Sequence, residues 1–199
     1  MGRAVNTLTS ETAMEDQFAH DSAKDDLLIL VDGRDRQTGV ATKLESHTKG
    51  LLHRALSVVI LRETAAGTEL LLAQRAEGKY HSAGLWANSC CSHPRNGEAT
   101  VEAAQRRCQE ELGMHVEGLE EIGSFAYRAA FENGLVEYEY DHVLLAHATG
   151  DPNPDPSEVQ ATRWVSVDAL ATDLAHHPTR FCAWAFTVLT LAMERIAKG

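Results

Sequence analysis

Basic charge is in short supply along this chain. Eighteen Lys and Arg stand against 29 Asp and Glu, a formal net charge of −11. A field of that sign repels nucleic acid and anionic membranes, so neither is an expected partner. Any phosphate-bearing ligand then needs local Lys, Arg or metal. Long apolar runs are also missing: Leu27–Val31 covers five residues, a strand's length and far short of a membrane span. Cysteine is sparse, and Cys90, Cys91, Cys108 and Cys182 form no spaced secretory framework. The first residues show no charged stretch leading into an apolar one, as a signal peptide would. Asn6 stands where a myristoylation signal needs Ser or Thr. A reducing cytoplasmic setting, in which free thiols can work, is the expectation. No internal repeat is visible.

What is present suits one globular domain: 199 residues, 44 % apolar and 24 % charged, bury a substantial core. Residues 1–25 carry few large apolar side chains and read as a flexible N-terminal tail, leaving 26–199 as the domain. Short apolar runs predict strands at 27–31, 55–61, 69–74, 85–89, 121–126, 136–146 and 162–165, punctuated by glycines. Helices are expected over about 98–112, stopped by Gly113, from Val167 to about His176, and over 181–197. Strands with helices between them predict an α/β (α+β) sandwich in a single compact domain.

The chemistry-bearing residues converge on Asn88-Ser-Cys-Cys-Ser-His-Pro94. In an extended segment Cys91 and His93 share a face, about 7 Å apart. Downstream, Val136-Glu-Tyr-Glu-Tyr-Asp141 alternates, so Glu137, Glu139 and Asp141 share the face that continues as apolar Val143 and Leu145. By itself this is an acidic solvent face. Acids entering an apolar row also suit a pocket in which a cation relieves their repulsion. Most of the ten histidines must be incidental, and His47 and His53 would not stand out unaided. Three imidazoles with two carboxylates would suit Mn²⁺, Fe²⁺ or Zn²⁺. On the helix over 98–112, Val101, Ala104, Cys108 and Leu112 form the expected buried stripe, with Arg107 and Glu111 flanking it and Glu102, Arg106 and Glu110 facing away. Arg75 and Lys79, with Lys43 and Arg107, could hold a diphosphate together with carboxylate-bound Mg²⁺.

The motif around Cys91, Arg106-Arg-Cys-Gln-Glu-Glu-Leu-Gly113, Gly134-Leu-Val-Glu-Tyr-Glu139 and Trp184 occur in the order seen in one family. From about residue 27 onward the chain resembles the type I isopentenyl diphosphate isomerases of the Nudix superfamily. The resemblance implies a Nudix-like mixed β-sheet sandwiched between helices. It implies Cys91 and Glu139 as catalytic residues, with Tyr127 beside the acid and Trp184 over the reacting carbons. His47, His53, His93, Glu137 and Glu139 would hold one Mn²⁺ (or Zn²⁺ or Fe²⁺), and Glu111, with the Cys91 carbonyl, the Mg²⁺ that accompanies the diphosphate. Lys43, Arg75, Lys79 and Arg107 would contact or surround that diphosphate. The implied partner is a small diphosphate, and a monomer or weak homodimer is expected.

The implied reaction interconverts isopentenyl and dimethylallyl diphosphate by protonation and deprotonation. Glu139, assisted by Tyr127, is the expected donor and Cys91 the acceptor, with the reverse order open. The Nudix hydrolase box is broken: Arg107 stands where it needs Glu and Ser92 where it needs Gly, although Glu110, Glu111 and Gly113 survive. That makes hydrolysis of a diphosphate the second reading and a metal-dependent binding domain the third. The 81–83 loop also departs from the family pattern.

Overall fold

The computed structural model describes residues 27–199; the expected tail lies outside them. Nine strands, β1 (Leu27–Val31), β2 (Gln37–Thr42), β3 (His53–Thr64), β4 (Gly67–Arg75), β5 (Trp86–Ala87), β6 (Cys90–Ser92), β7 (Val116–Ala130), β8 (Val136–Ala148) and β9 (Val159–Ser166), form one mixed sheet. Among the described residues four helices accompany them: α1 (Lys43–Lys49), α2 (Thr100–Leu112), α3 (Val167–His176) and α4 (Ala185–Lys198). A single 3₁₀ turn, Pro178–Arg180, precedes α4.

Strand β3 organises the sheet because it is apolar on both faces. It runs parallel to β8 and antiparallel to β1, β4 and β6. A strand buried on both faces needs a layer on each, and the two-residue period sorts its side chains. Leu56, Val58 and Ile60, with Leu144 and Ala146 of β8, pack on Ala104, Cys108 and Leu112 of α2. Val59 and Leu61, with Val143 and Leu145, pack on Leu170 and Leu174 of α3 and Val188 and Leu189 of α4. Each large side chain buried this way contributes roughly 1.5–3 kcal/mol. The sandwich predicted from the pattern of strands and helices is the observed architecture.

Several elements differ from the sequence-based expectation. Segment 37–49 carries too few apolar residues to announce β2 and α1. Pairing with β1 forms the strand, and Thr42 starts the helix by accepting from the Glu45 amide at 3.1 Å. The expected strand over 85–89 is split: β5 pairs with β4, then the chain crosses to β6, which pairs with β3. Ser89 makes that crossing, its hydroxyl accepting from Ile60 N–H (2.8 Å) and donating to Leu71 C=O (2.7 Å). On α2, Val101 is 47 % exposed, so the buried stripe begins at Ala103 and Ala104. The last helix starts at Ala185, which leaves Trp184 as its N-terminal flanking residue. Phe181 bridges instead to Trp86 of β5.

Candidate active site

Strand register assembles the site. Glu139 on β8 is flanked by His53 on β3 and by Tyr127 on β7, in register on either side. Cys91 on β6 lies beside Ser57 of β3. Because β8 alternates, Glu137, Glu139 and Asp141 continue the row of Val143 and Leu145, and all five are buried. The row that looked solvent-facing in isolation is buried, and its Glu137 and Glu139 line a cleft. Helix α1 adds His47, and the chain just after β6 adds His93.

Ligand atoms of His47, His53, His93 and Glu139 all lie within 4.8 Å of one another. Glu137 joins through Oε1, 3.2 Å from His47 Nε2. Two features fit this group to a cation. His47 Nδ1 lies 2.6 Å from the Lys43 carbonyl and His53 Nδ1 2.8 Å from the Leu51 carbonyl. A carbonyl only accepts, so each Nδ1 carries a proton, which leaves each Nε2, now facing a carboxylate of the cluster, as the ring atom that can ligate an ion. His53 Nε2 and Glu137 Oε2 are moreover buried without a hydrogen bond, a costly state for polar atoms unless something else binds them. The cluster can therefore coordinate a metal ion.

Burial lowers His93 to about 4, against the pull of Glu139. On Glu137 burial acts upward, yet His47 and His81 outweigh it and hold the carboxyl well below its usual range. Glu139 is also lowered: burial and Glu137 push it up, and His53 and His93 prevail. Tyr127 donates to Glu139 Oε2 at 2.5 Å and is raised well above the usual phenol value by burial and that carboxylate, so it keeps its proton.

Cys91 lines the same cleft. Its thiol donates to Asn88 Oδ1 at 3.1 Å and accepts from Trp184 Nε1–H at 3.1 Å. Ser57 Oγ lies 3.6 Å from that sulfur and 2.8 Å from Asp141 Oδ2. Burial, helped by Asp141, pushes the thiol up, and burial with Glu139 raises Asp141 well above its usual range. The other end of the cleft is lined with paired charges. Arg107 meets Glu111 at 2.5 Å, Lys79 meets Glu158 at 2.5 Å, and Arg107 stands 3.8 Å from Glu158. Arg75 lies over the Trp184 ring at 5.5 Å, and Lys43 over Tyr80 at 5.0 Å.

Every expected site residue except His47 and His53 lines this one cleft, and those two sit directly behind it. Sequence reading passed over Ser57, His81 and Glu158, which also line it. Glu158 follows the Pro-rich loop at 151–156, and nothing local marks it. That loop is stitched to the end of α2 by Asn153 N–H to Leu112 C=O (2.8 Å) and Asp155 N–H to Glu111 C=O (2.9 Å). These bonds satisfy the last helical carbonyls and bring Glu158 beside Lys79.

A mixed sheet between helices, with an acid-bearing helix edging a polar cleft, defines the class of protein: residues 51–185 match the NUDIX domain. Solved structures agree on the fold. The DR0079 protein of Deinococcus radiodurans superimposes with a TM-score of 0.62 over 81 % of this chain and 96 % of that one, at 19 % identity. A MutT Nudix hydrolase from Burkholderia pseudomallei gives 0.56 over 70 % and 97 %, at 22 % identity. Among sequences, the isopentenyl-diphosphate Delta-isomerase of Photobacterium profundum is 45 % identical over 85 % of this chain and 96 % of its own length. That of Cereibacter sphaeroides is 47 % identical over 77 % and 86 %. The chain belongs to the isopentenyl-diphosphate Delta-isomerase family of Nudix-domain proteins.

Proposed function

We propose that this protein interconverts isopentenyl diphosphate and dimethylallyl diphosphate, with Cys91 and the Glu139–Tyr127 pair as the two proton-transferring groups. The observation that carries the reading is that all three line one cleft and are linked by Trp184, which is hydrogen-bonded to Cys91 and tilted 36° to Tyr127 at 6.2 Å. An unactivated alkene is a weak base. Its protonation needs a positioned acid, a stabilised tertiary cation and the exclusion of water. A base on the other face must then take a proton from C2.

Tyr127 holds its proton in a hydrogen bond to Glu139, and Cys91 holds one in the same cleft. At rest the proton of the Cys91–Glu139 couple sits on sulfur, and the donor form has it on Glu139. Both forms carry the same total charge, so pH does not change their ratio. Trp184 N–H and the Ser57 hydroxyl are donors that favour the sulfur as it becomes an acceptor. General acid–base steps contribute about 10²–10⁴-fold. The Trp184 face adds about 2 kcal/mol or more for a desolvated cation.

His47, His53, His93, Glu137 and Glu139 would hold one Mn²⁺, Zn²⁺ or Fe²⁺. Bound there, the ion would neutralise the acids and tune the acidity of Glu139. Glu111 would carry Mg²⁺ with the diphosphate, and Lys43, Arg75, Lys79 and Arg107 would orient that group. The diphosphate serves as a handle and keeps its bonds.

Proton and phosphorus NMR with isopentenyl diphosphate, Mg²⁺ and Mn²⁺ or Zn²⁺ in D₂O tests this. The expected product is dimethylallyl diphosphate bearing deuterium in its methyl groups, without phosphate release. Phosphate or monophosphate release would sink the reading in favour of a hydrolase.

A further inference from the structure

The loop between β4 and β5 places one residue, His81, where neither the family motifs nor the proton-transfer scheme assigns it work. His81 is 6 % exposed, and its Nε2 lies 2.5 Å from Glu137 Oε1. A carboxylate oxygen can only accept, so Nε2 carries the hydrogen. Nδ1 faces the Ser82 hydroxyl at 3.2 Å, which can donate to it. Both ring nitrogens are then satisfied, and neither offers a lone pair to an ion. The other oxygen of the same carboxylate, Glu137 Oε2, is buried and makes no hydrogen bond.

We propose that His81 is a positioning residue of the metal centre, gripping Oε1 of Glu137, the oxygen that faces His47, so that this carboxylate keeps one orientation toward the cluster. The inference rests on the metal-centre reading above and extends it from the ligands to what aims them. Metal-binding carboxylates work best when such a partner fixes their orientation.

The grip is itself held from several sides. The imidazole stacks on Phe131 with centroids 4.3 Å apart and 10° between planes, and meets Trp184 edge-on at 5.9 Å. Its backbone carbonyl accepts from Arg75 at 3.3–3.4 Å, and Asn133 ties the preceding carbonyl of Tyr80 to the β7–β8 turn at 2.8 Å. Ser82 sits at φ +51°, a left-handed conformation that costs a non-glycine residue free energy and persists where the surroundings over-determine it. One loop residue thus couples the diphosphate arm (Arg75), the aromatic wall (Trp184) and a metal ligand (Glu137).

Titration of metal-stripped full-length protein with Mn²⁺, reading free Mn²⁺ by electron paramagnetic resonance, tests the role without reference to turnover. His81→Phe keeps a ring for Phe131 and removes the N–H, and is expected to weaken Mn²⁺ binding about 10–100-fold. His81→Gln keeps a donor and is expected to recover most of the affinity. A purely structural role would lower thermal stability in both variants without separating them in Mn²⁺ affinity. Wild-type affinity in folded His81→Phe overturns the proposal. If that variant does not fold, His81→Asn, whose shorter amide cannot reach Glu137, is held to the same expectation. The visible spectrum of bound Co²⁺ should keep its coordination number; loss of a nitrogen ligand in His81→Phe would make His81 a ligand and overturn the positioning role. A wild-type protein that binds no Mn²⁺ would instead remove the metal-centre reading on which the proposal stands.

Discussion

The two ends of the cleft handle buried charge in opposite ways. At the His47–His53–His93 end the ligand atoms crowd one another, and two of the site's buried polar atoms, His53 Nε2 and Glu137 Oε2, lack any hydrogen bond. At the Arg107–Lys79 end each of those two cations meets a carboxylate from α2 or from the segment after the Pro-rich loop. The first arrangement can take up a metal ion. The second is self-neutralised, and a ligand must persuade existing partners to exchange. Pre-organised donors can hold a resident ion, whereas exchangeable ion pairs suit a ligand that arrives and leaves each turnover.

The largest effect is expected between the two ends. On the proposed mechanism, Cys91→Ala removes one of the two proton-transferring groups and should reduce isomerisation by about 10³-fold or more, at the upper part of the acid–base range. Mn²⁺ binding and Mg²⁺-dependent binding of inorganic pyrophosphate, both measurable by calorimetry, should be unchanged. Full activity in that variant would remove Cys91 from the mechanism.

Next come substitutions that separate the ends. His53→Ala should weaken Mn²⁺ binding more than about 100-fold, beyond what loss of an orienting partner costs, and leave pyrophosphate binding in place. Equal loss of both ligands would mean the ends are not independent. Arg107→Met leaves Glu111 buried without its partner and should cost about 3–5 kcal/mol of stability. Because Mg²⁺ can replace the missing positive charge, millimolar Mg²⁺ should return part of the lost melting temperature. No response to Mg²⁺ would argue against Glu111 as its ligand.

The pH profile sharpens the comparison at the proposed proton-transferring groups. Burial raises the Cys91 thiol, so Cys91 keeps its proton through neutral pH and above, and over that range the couple's total proton count is constant. The turnover number of the metal-loaded protein should stay flat on the alkaline side until well above the ordinary thiol value of about 8.5. A limb at that ordinary value would show that the thiol is not desolvated as described.

The smallest effect concerns the scaffold of the self-neutralised end. Gly113 caps α2 at φ +62°, and a Cβ there would stand 2.7 Å from the Asn153 carbonyl oxygen. Gly113→Ala should destabilise the protein by about 1–3 kcal/mol, shifting the loop that carries Glu158. A melting curve and the Km for the diphosphate substrate, expected to rise with little change in kcat, would measure both consequences.

Much of this was legible in the chain because the relevant signals are local. Alternation along 136–146 put Glu137, Glu139 and Asp141 on the face of Val143 and Leu145, and that face is buried. Gly113 marked the end of α2, and helical spacing placed Glu111 and Arg107 beside the buried stripe. The chain order of the Cys91, Glu111 and Glu139 motifs pointed to the family. The resemblance named His47 and His53, although the helix that carries His47 was overlooked. A capping signal existed there, Thr42 three residues before Glu45 with Gly50 at the far end, but few apolar residues accompany it.

Tertiary structure alone decided the rest, because those relations join residues remote in sequence. Register between β3, β8 and β7 put His53 and Tyr127 on either side of Glu139. Only the crossing at Ser89 brought Cys91 beside Ser57, and only the stitching of the Pro-rich loop to α2 set Glu158 against Lys79. His81 reads as an ordinary loop histidine until packing brings it onto Glu137, 56 residues away. Periodicity determines which face of an element is apolar. What meets that face, and which buried polar atom is left without a partner, depends on how elements far apart in the chain are brought together.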